Sequence, residues 1–130
     1  MSKKVLIAEK EPVLSCLLMD AFLSEGYRVK AVASGLECRS LLNHFPPDLL
    51  IVNEDLQWGS GLGVLESLRE NHHPAANVPV ILLLAPTLRK MIFPWRFPEL
   101  TVFSKPVLPF EILNAAREAF VGGGSHPWMG

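Results

Sequence analysis

With 130 residues, 49% of them apolar, the chain is one ordinary domain with enough apolar side chains to bury a core. Its formal net charge of -1 comes from interleaved acids and bases, which leaves no electrostatic footprint for nucleic acid and no basic face for an anionic membrane. The apolar stretch after Met1-Ser2-Lys3-Lys4 is too short for a secretory leader, and no apolar run approaches the ~20 residues of a membrane span, so a cytoplasmic location is expected.

Short continuous apolar runs alternate with segments of helical spacing, which is the pattern of a parallel sheet covered on both faces and predicts an α/β architecture. Lys4 to Ala8 is the first expected strand. Val13, Leu14, Leu17, Leu18, Ala21 and Phe22 then recur on one helical face, predicting a helix that lays this face on the sheet and ends near Glu25-Gly26. A second strand is expected over Arg28 to Val32. Ser34, with Glu37 three residues on, makes a capping box for a helix carrying Leu36, Leu41 and Leu42, stopped by Pro46-Pro47. The third strand, Asp48 to Val52, runs directly into Asn53. Trp58-Gly59-Ser60-Gly61-Leu62-Gly63 is glycine-rich, but its spacing fits no nucleotide-binding loop, and Trp58 either covers the strand ends or faces a partner.

A helix follows over Leu62 to Glu70, and His72-His73-Pro74 is read as a solvated loop because no carboxylate or thiolate stands at ligand spacing. Strands over Val80 to Leu84 and Thr101 to Phe103 and a last helix over Pro109 to Val121 complete the pattern. Residues 1–121 are expected to form the domain and 122–130 a flexible glycine-rich tail. Cys16 and Cys38 fall within helical patterns in no metal spacing, and both are expected to be reduced and packed. An open parallel sheet leaves a crevice at the carboxyl ends of its strands, where Glu9, Lys10, Asn53, Leu84 and Lys105 all fall.

Four segments in order carry a family resemblance: Val5-Leu6-Ile7-Ala8-Glu9-Lys10-Glu11-Pro12, Pro47-Asp48-Leu49-Leu50-Ile51-Val52-Asn53, Val78-Pro79-Val80-Ile81-Leu82-Leu83-Leu84-Ala85, and Phe103-Ser104-Lys105-Pro106. Together they resemble the receiver domain of two-component response regulators, over residues 3 to about 121. The resemblance implies a flavodoxin-like, doubly wound, five-stranded parallel sheet in the order 2-1-3-4-5 with helices on both faces. It also implies a crevice holding an aspartate nucleophile, Mg²⁺ on oxygen ligands, a charge-neutralising lysine and a hydroxyl that reports the phosphoryl group.

Against that pattern the chain departs at linked points. Asn53 stands at the acceptor position, and its uncharged amide cannot attack phosphorus as a carboxylate does. Lys10 replaces a metal-binding aspartate, so the Mg²⁺ site is expected to be lost and no cofactor is implied. Glu9 keeps a carboxylate, expected to pair with Lys10 or Lys105 in the emptied pocket. Leu84 replaces the reporting hydroxyl and Val102 the aromatic that follows it. Lys105 survives, followed by a Pro106 that the family often holds in a cis peptide.

The segment between Leu84 and Thr101 carries Pro86, Pro94 and Pro98 where the family has its fourth helix, so that helix is expected to be shortened or disrupted. Met91, Phe93, Trp95 and Phe97, with Val102, either repack over the core or form a partner surface of the kind aromatic residues enrich. Two functions of different class remain: a degenerate receiver, not an enzyme, acting as a phosphorylation-independent interaction or dimerisation module among proteins of a bacterial signalling pathway, and a receiver phosphorylated on Asp55 or Glu54 with Mg²⁺. Binding of a small ligand in the vacated crevice is a third.

Overall fold

The computed structural model describes residues 2–70, 73–91 and 100–122. In chain order these form β1 (Lys4–Ala8), α1 (Pro12–Ser24), β2 (Arg28–Val32), α2 (Gly35–Leu42), β3 (Leu49–Asn53), β4 (Asp55–Leu56), β5 (Gly59–Ser60), α3 (Gly61–Glu70), β6 (Val80–Leu84), β7 (Leu100–Ser104) and α4 (Pro109–Gly122). A 3-10 turn, Pro86–Met91, follows β6.

All pairings in the main sheet are parallel, in the order β2-β1-β3-β6-β7. Counting the main-sheet strands alone, this is the expected order 2-1-3-4-5, a flavodoxin-like doubly wound sheet. β4 and β5 stand apart as a small antiparallel hairpin.

The period-two alternation of each central strand divides the core between the two faces. Leu6, Leu50, Val52, Val80, Leu82 and Leu84 face Cys38 and Leu42 of α2 and Val64, Leu65 and Leu68 of α3. Val5, Ile7, Leu49, Ile51, Ile81 and Leu83 face Leu18 and Phe22 of α1 and Ile112, Leu113 and Ala116 of α4. Every residue of β3 and β6 is buried, as fits strands covered on both sides.

The helix ends follow the local chemistry. Pro12 takes the first position of α1, where its missing N–H costs nothing. Gly26 sits at φ 91 just beyond that helix, a left-handed conformation that glycine adopts without penalty. Ser34 caps α2 by accepting from the Glu37 N–H at 3.0 Å, and its hydroxyl donates to Glu37 Oε1 at 3.3 Å.

Several expectations need correction. β3 begins one residue late and includes Asn53, and β7 is longer by one residue at each end than expected. The α1 face is rotated: Leu18 and Phe22 are buried, whereas Val13 is 73% exposed and Leu17 49% exposed, because their positions lie over the crevice instead of the sheet. Leu36 is also exposed, and Cys38 packs with Leu42 for α2. Cys16 is exposed, so the packed-thiol expectation holds for Cys38 alone. In the fourth helix's place stands the 3-10 turn ending at Met91, while Phe93, Trp95 and Phe97 lie outside the described residues. Val102 is half-buried against the α2–α3 side of the core. The tail from 123 onward also lies outside the described residues, and α4 itself reaches Gly122.

Candidate functional site at the carboxyl ends of the strands

The loops after β1, β3, β6 and β7 diverge around a cleft of about 820 Å³, lined by Lys10, Asn53, Glu54, Asp55 and Lys105 among others. Its position follows from topology, since β1 and β3 lie at the point where the strand order reverses.

The floor is a closed set of hydrogen bonds around one carboxylate. Glu9 is 2% exposed. Asn53 Nδ2 donates to Glu9 Oε1 at 3.1 Å and to Oε2 at 3.0 Å. The Glu11 N–H donates to Glu9 Oε2 at 3.0 Å, and Lys105 Nζ stands 3.5 Å from Glu9 Oε1. Asn53 Oδ1 accepts from the Asp55 N–H at 3.1 Å, so both ends of the amide are used. The opposite orientation would set the amide oxygen against a carboxylate and its nitrogen against an N–H, so this pairing fixes it.

Lys10 pairs with a carboxylate other than Glu9. Its Nζ lies 2.9 Å from Asp55 Oδ2, and that hydrogen bond and charge hold the ammonium's pKa above its ordinary value. Glu9 therefore pairs with Lys105 and not with Lys10. Lys105 also reaches Glu11 Oε2 at 3.5 Å, a contact that sequence reasoning missed although Glu11 directly follows the two residues it singled out.

Glu54 turns in toward α3. It is half-buried and its Oε1 accepts from the Leu62 N–H at 2.7 Å at the start of α3. Burial pushes its carboxyl up from the usual range, against the lowering effect of that N–H, with the neighbouring Asp55 and Glu66 charges adding to the rise.

Leu84 ends β6 fully buried, and its carbonyl accepts from the Lys105 N–H at 2.9 Å. The Lys105–Pro106 peptide is cis. Gly61 permits the close passage of α3 over the site: a Cβ there would meet Asn53 O at 2.9 Å and the Glu54 Cα at 3.0 Å. Trp58 is not among the lining residues and is 81% exposed, so it does not cover the cleft. His73 is no metal ligand in this arrangement: its Nε2 meets Asn43 Oδ1 at 2.8 Å and its Nδ1 accepts from the Ala75 N–H at 2.9 Å, tying the loop before β6 to α2. His72 lies outside the described residues.

The rim is apolar. Val13, Leu14 and Leu17 line one side, and Pro86, Leu88, Pro106 and Val107 line the others. Their contribution was invisible in the sequence because helical spacing alone assigned Val13 and Leu17 to the core.

The family model for the response regulator receiver domain matches residues 5–93. The chain belongs to that family. Receivers are signalling modules of two-component systems, and they normally bind Mg²⁺. The TorCAD operon transcriptional regulatory protein TorR of Escherichia coli O157:H7 is 36% identical over 70 residues, which are 54% of this receiver and 30% of TorR. This receiver thus spans about a third of that regulator's length. The polar-differentiation response regulator DivK of Brucella ovis is 32% identical over 85 residues, 65% of this receiver and 68% of DivK. Among solved structures, the receiver domain of a sensor histidine kinase from Pseudomonas aeruginosa PAO1 superposes with a TM-score of 0.79 at 22% identity, covering 95% of this receiver and 100% of that chain. That neighbour carries a magnesium ion in its active-site cleft.

Proposed function

We propose that this receiver does not accept phosphate and acts as a phosphorylation-independent interaction or dimerisation module in cytoplasmic bacterial two-component signalling, with residues 1–121 as the working unit. The observation that carries the reading is the bidentate bond from Asn53 Nδ2 to the buried Glu9 carboxylate. At the acceptor position a donor points where a nucleophilic oxygen is needed, and it consumes the acidic side chain that would otherwise bind a cation.

The donor set does not fit Mg²⁺. A hard dication needs several free oxygens, whereas Glu9 is already satisfied by Asn53, Glu11 N–H and Lys105, and the neighbouring position offers the Lys10 ammonium. Among the described residues no group of three or more His, Cys, Asp or Glu side chains is arranged to hold a metal. Neither Asp55 nor Glu54 is well placed as a substitute acceptor, since Lys10 holds the first and the Leu62 N–H the second. The partner surface in this reading is Met91 at the end of the 3-10 turn, Phe93, Trp95 and Phe97 after it in the chain, and Val102 of β7.

The test is amide NMR of the labelled protein titrated with Mg²⁺ and then beryllofluoride, which mimics an aspartyl phosphate. No shifts at Glu9, Asn53 and Lys105 are expected. Saturable, Mg²⁺-dependent shifts there would sink the reading in favour of a non-standard acceptor carboxylate.

A further inference from the structure

Leucine at position 84 and valine at position 102 supply neither the hydroxyl nor the rotating aromatic that would connect the crevice to β7 and α4. A different physical connection leaves it. Lys10, just past the end of β1, pairs with Asp55, the first residue of β4, at 2.9 Å. Asp55 is paired with Ser60 and Leu56 with Gly59 in the β4–β5 hairpin. The tip of that hairpin is bonded to the start of α2: the Gly35 N–H donates to Gln57 O at 2.8 Å, the Leu36 N–H to Trp58 O at 3.0 Å, and the Gln57 N–H to Ala33 O at 3.3 Å.

The contact is close as well as bonded. A Cβ on Gly35 would lie 3.0 Å from Trp58 O and 3.1 Å from the Gly59 Cα. Trp58 itself is held at φ 49, a left-handed conformation that a bulky residue keeps only where its surroundings impose it. The two side chains displayed where the hairpin meets α2, Trp58 and Leu36, are 81% and 60% exposed.

We propose that the Lys10–Asp55 ion pair is a releasable clamp that couples the crevice to the β4–β5 hairpin and the first turn of α2, so that occupancy of the crevice is read at Trp58 and Leu36. The inference rests on the phosphorylation-independent reading, because it supplies the route that a silent acceptor site lacks. Both partners are within reach of a ligand: the Lys10 side chain is 39% exposed and that of Asp55 67% exposed. An anionic group that takes Lys10 from Asp55 removes this link between the hairpin and the end of β1.

The test is amide hydrogen exchange on the full chain, without phosphoryl donor or Mg²⁺, for the wild type, Lys10→Met, Lys10→Arg, Asp55→Asn and the Lys10→Met/Asp55→Asn double variant. Each neutralising single variant should speed exchange of the Gly35 and Leu36 amides about three- to fivefold, the scale of a well-formed exposed pair. The double should be no faster than either single, since both remove the same interaction, and Lys10→Arg should match the wild type. Amides of Ile7 and Ile51 in the sheet should be unchanged. Unaltered Gly35 and Leu36 exchange in Lys10→Met overturns the clamp, as do multiplicative effects in the double or equal acceleration in the sheet. These outcomes do not depend on whether beryllofluoride binds, so failure of the clamp and failure of the silent-site reading are separable.

Discussion

At Asn53 a single atom type decides what the strand ends can do. Replacing the amide by a carboxylate, Asn53→Asp, would set two carboxyl groups about 3 Å apart in a site from which water is largely excluded, and would delete both bonds to Glu9. A buried charge left without its partner costs about 3–5 kcal/mol, so urea unfolding at pH 7 should show a loss of about 3 kcal/mol that shrinks on acidification as the pair takes up a proton. Unchanged stability would mean that the Glu9–Asn53 bond is worth little. Glu54 makes a second prediction. Its folded pKa is raised, chiefly by burial, so its contribution to stability is present below its unfolded value near pH 4.3 and is lost as pH rises through the folded value. Glu54→Gln cannot ionise, so its stability relative to the wild type should rise between about pH 4 and pH 7 in paired denaturant melts. The thiols provide a third: Cys38 is buried and its thiol is pushed up to about 12, whereas Cys16 is exposed. A thiol reagent at neutral pH should titrate one cysteine in the native protein and both in denaturant.

Among the elements, the start of α2 and the β4–β5 hairpin depend on one another. A methyl group on Gly35 would press on Trp58 O, Gly59 Cα and Ser60 N at 3.0–3.3 Å, backbone atoms that must shift by a few tenths of an ångström to admit it. Gly35→Ala should therefore destabilise by about 1–3 kcal/mol despite alanine's better helix propensity, with chemical-shift changes concentrated at Trp58 to Ser60. Ser34→Ala removes only the cap and should cost about 1 kcal/mol without disturbing the hairpin. If Gly35→Ala proves neutral, the hairpin is not seated on α2 as described.

For the molecule as a whole, the charges at the strand ends are neutralised from within the chain. Lys10 lies against Asp55, and Lys105 lies against Glu9 and Glu11. A ligand stabilises only a state it binds, so the melting temperature should be the same in EDTA and in millimolar Mg²⁺. A saturable rise with Mg²⁺ would show that the internal charges do not exclude the ion.

Much of this was legible in the chain itself. Apolar runs at Lys4 to Ala8, Asp48 to Val52 and Val80 to Leu84, the alternating Arg28 to Val32 and the capping box at Ser34 pointed to the element order and the parallel sheet, because period and capping are local properties. Positions 10, 53 and 105 were legible as strand-end positions and border the cleft, because loops diverge at the carboxyl ends of a parallel sheet. What only the tertiary structure decided was pairing. Lys10, expected beside Glu9, took Asp55; Glu54 turned in to the Leu62 N–H; Val13 and Leu17, in helical register with Leu18 and Phe22, lie over the crevice. Spacing along a helix or strand determines which residues share a face, but which neighbour a charged side chain meets depends on where separate loops converge, and that is determined only once the sheet has assembled.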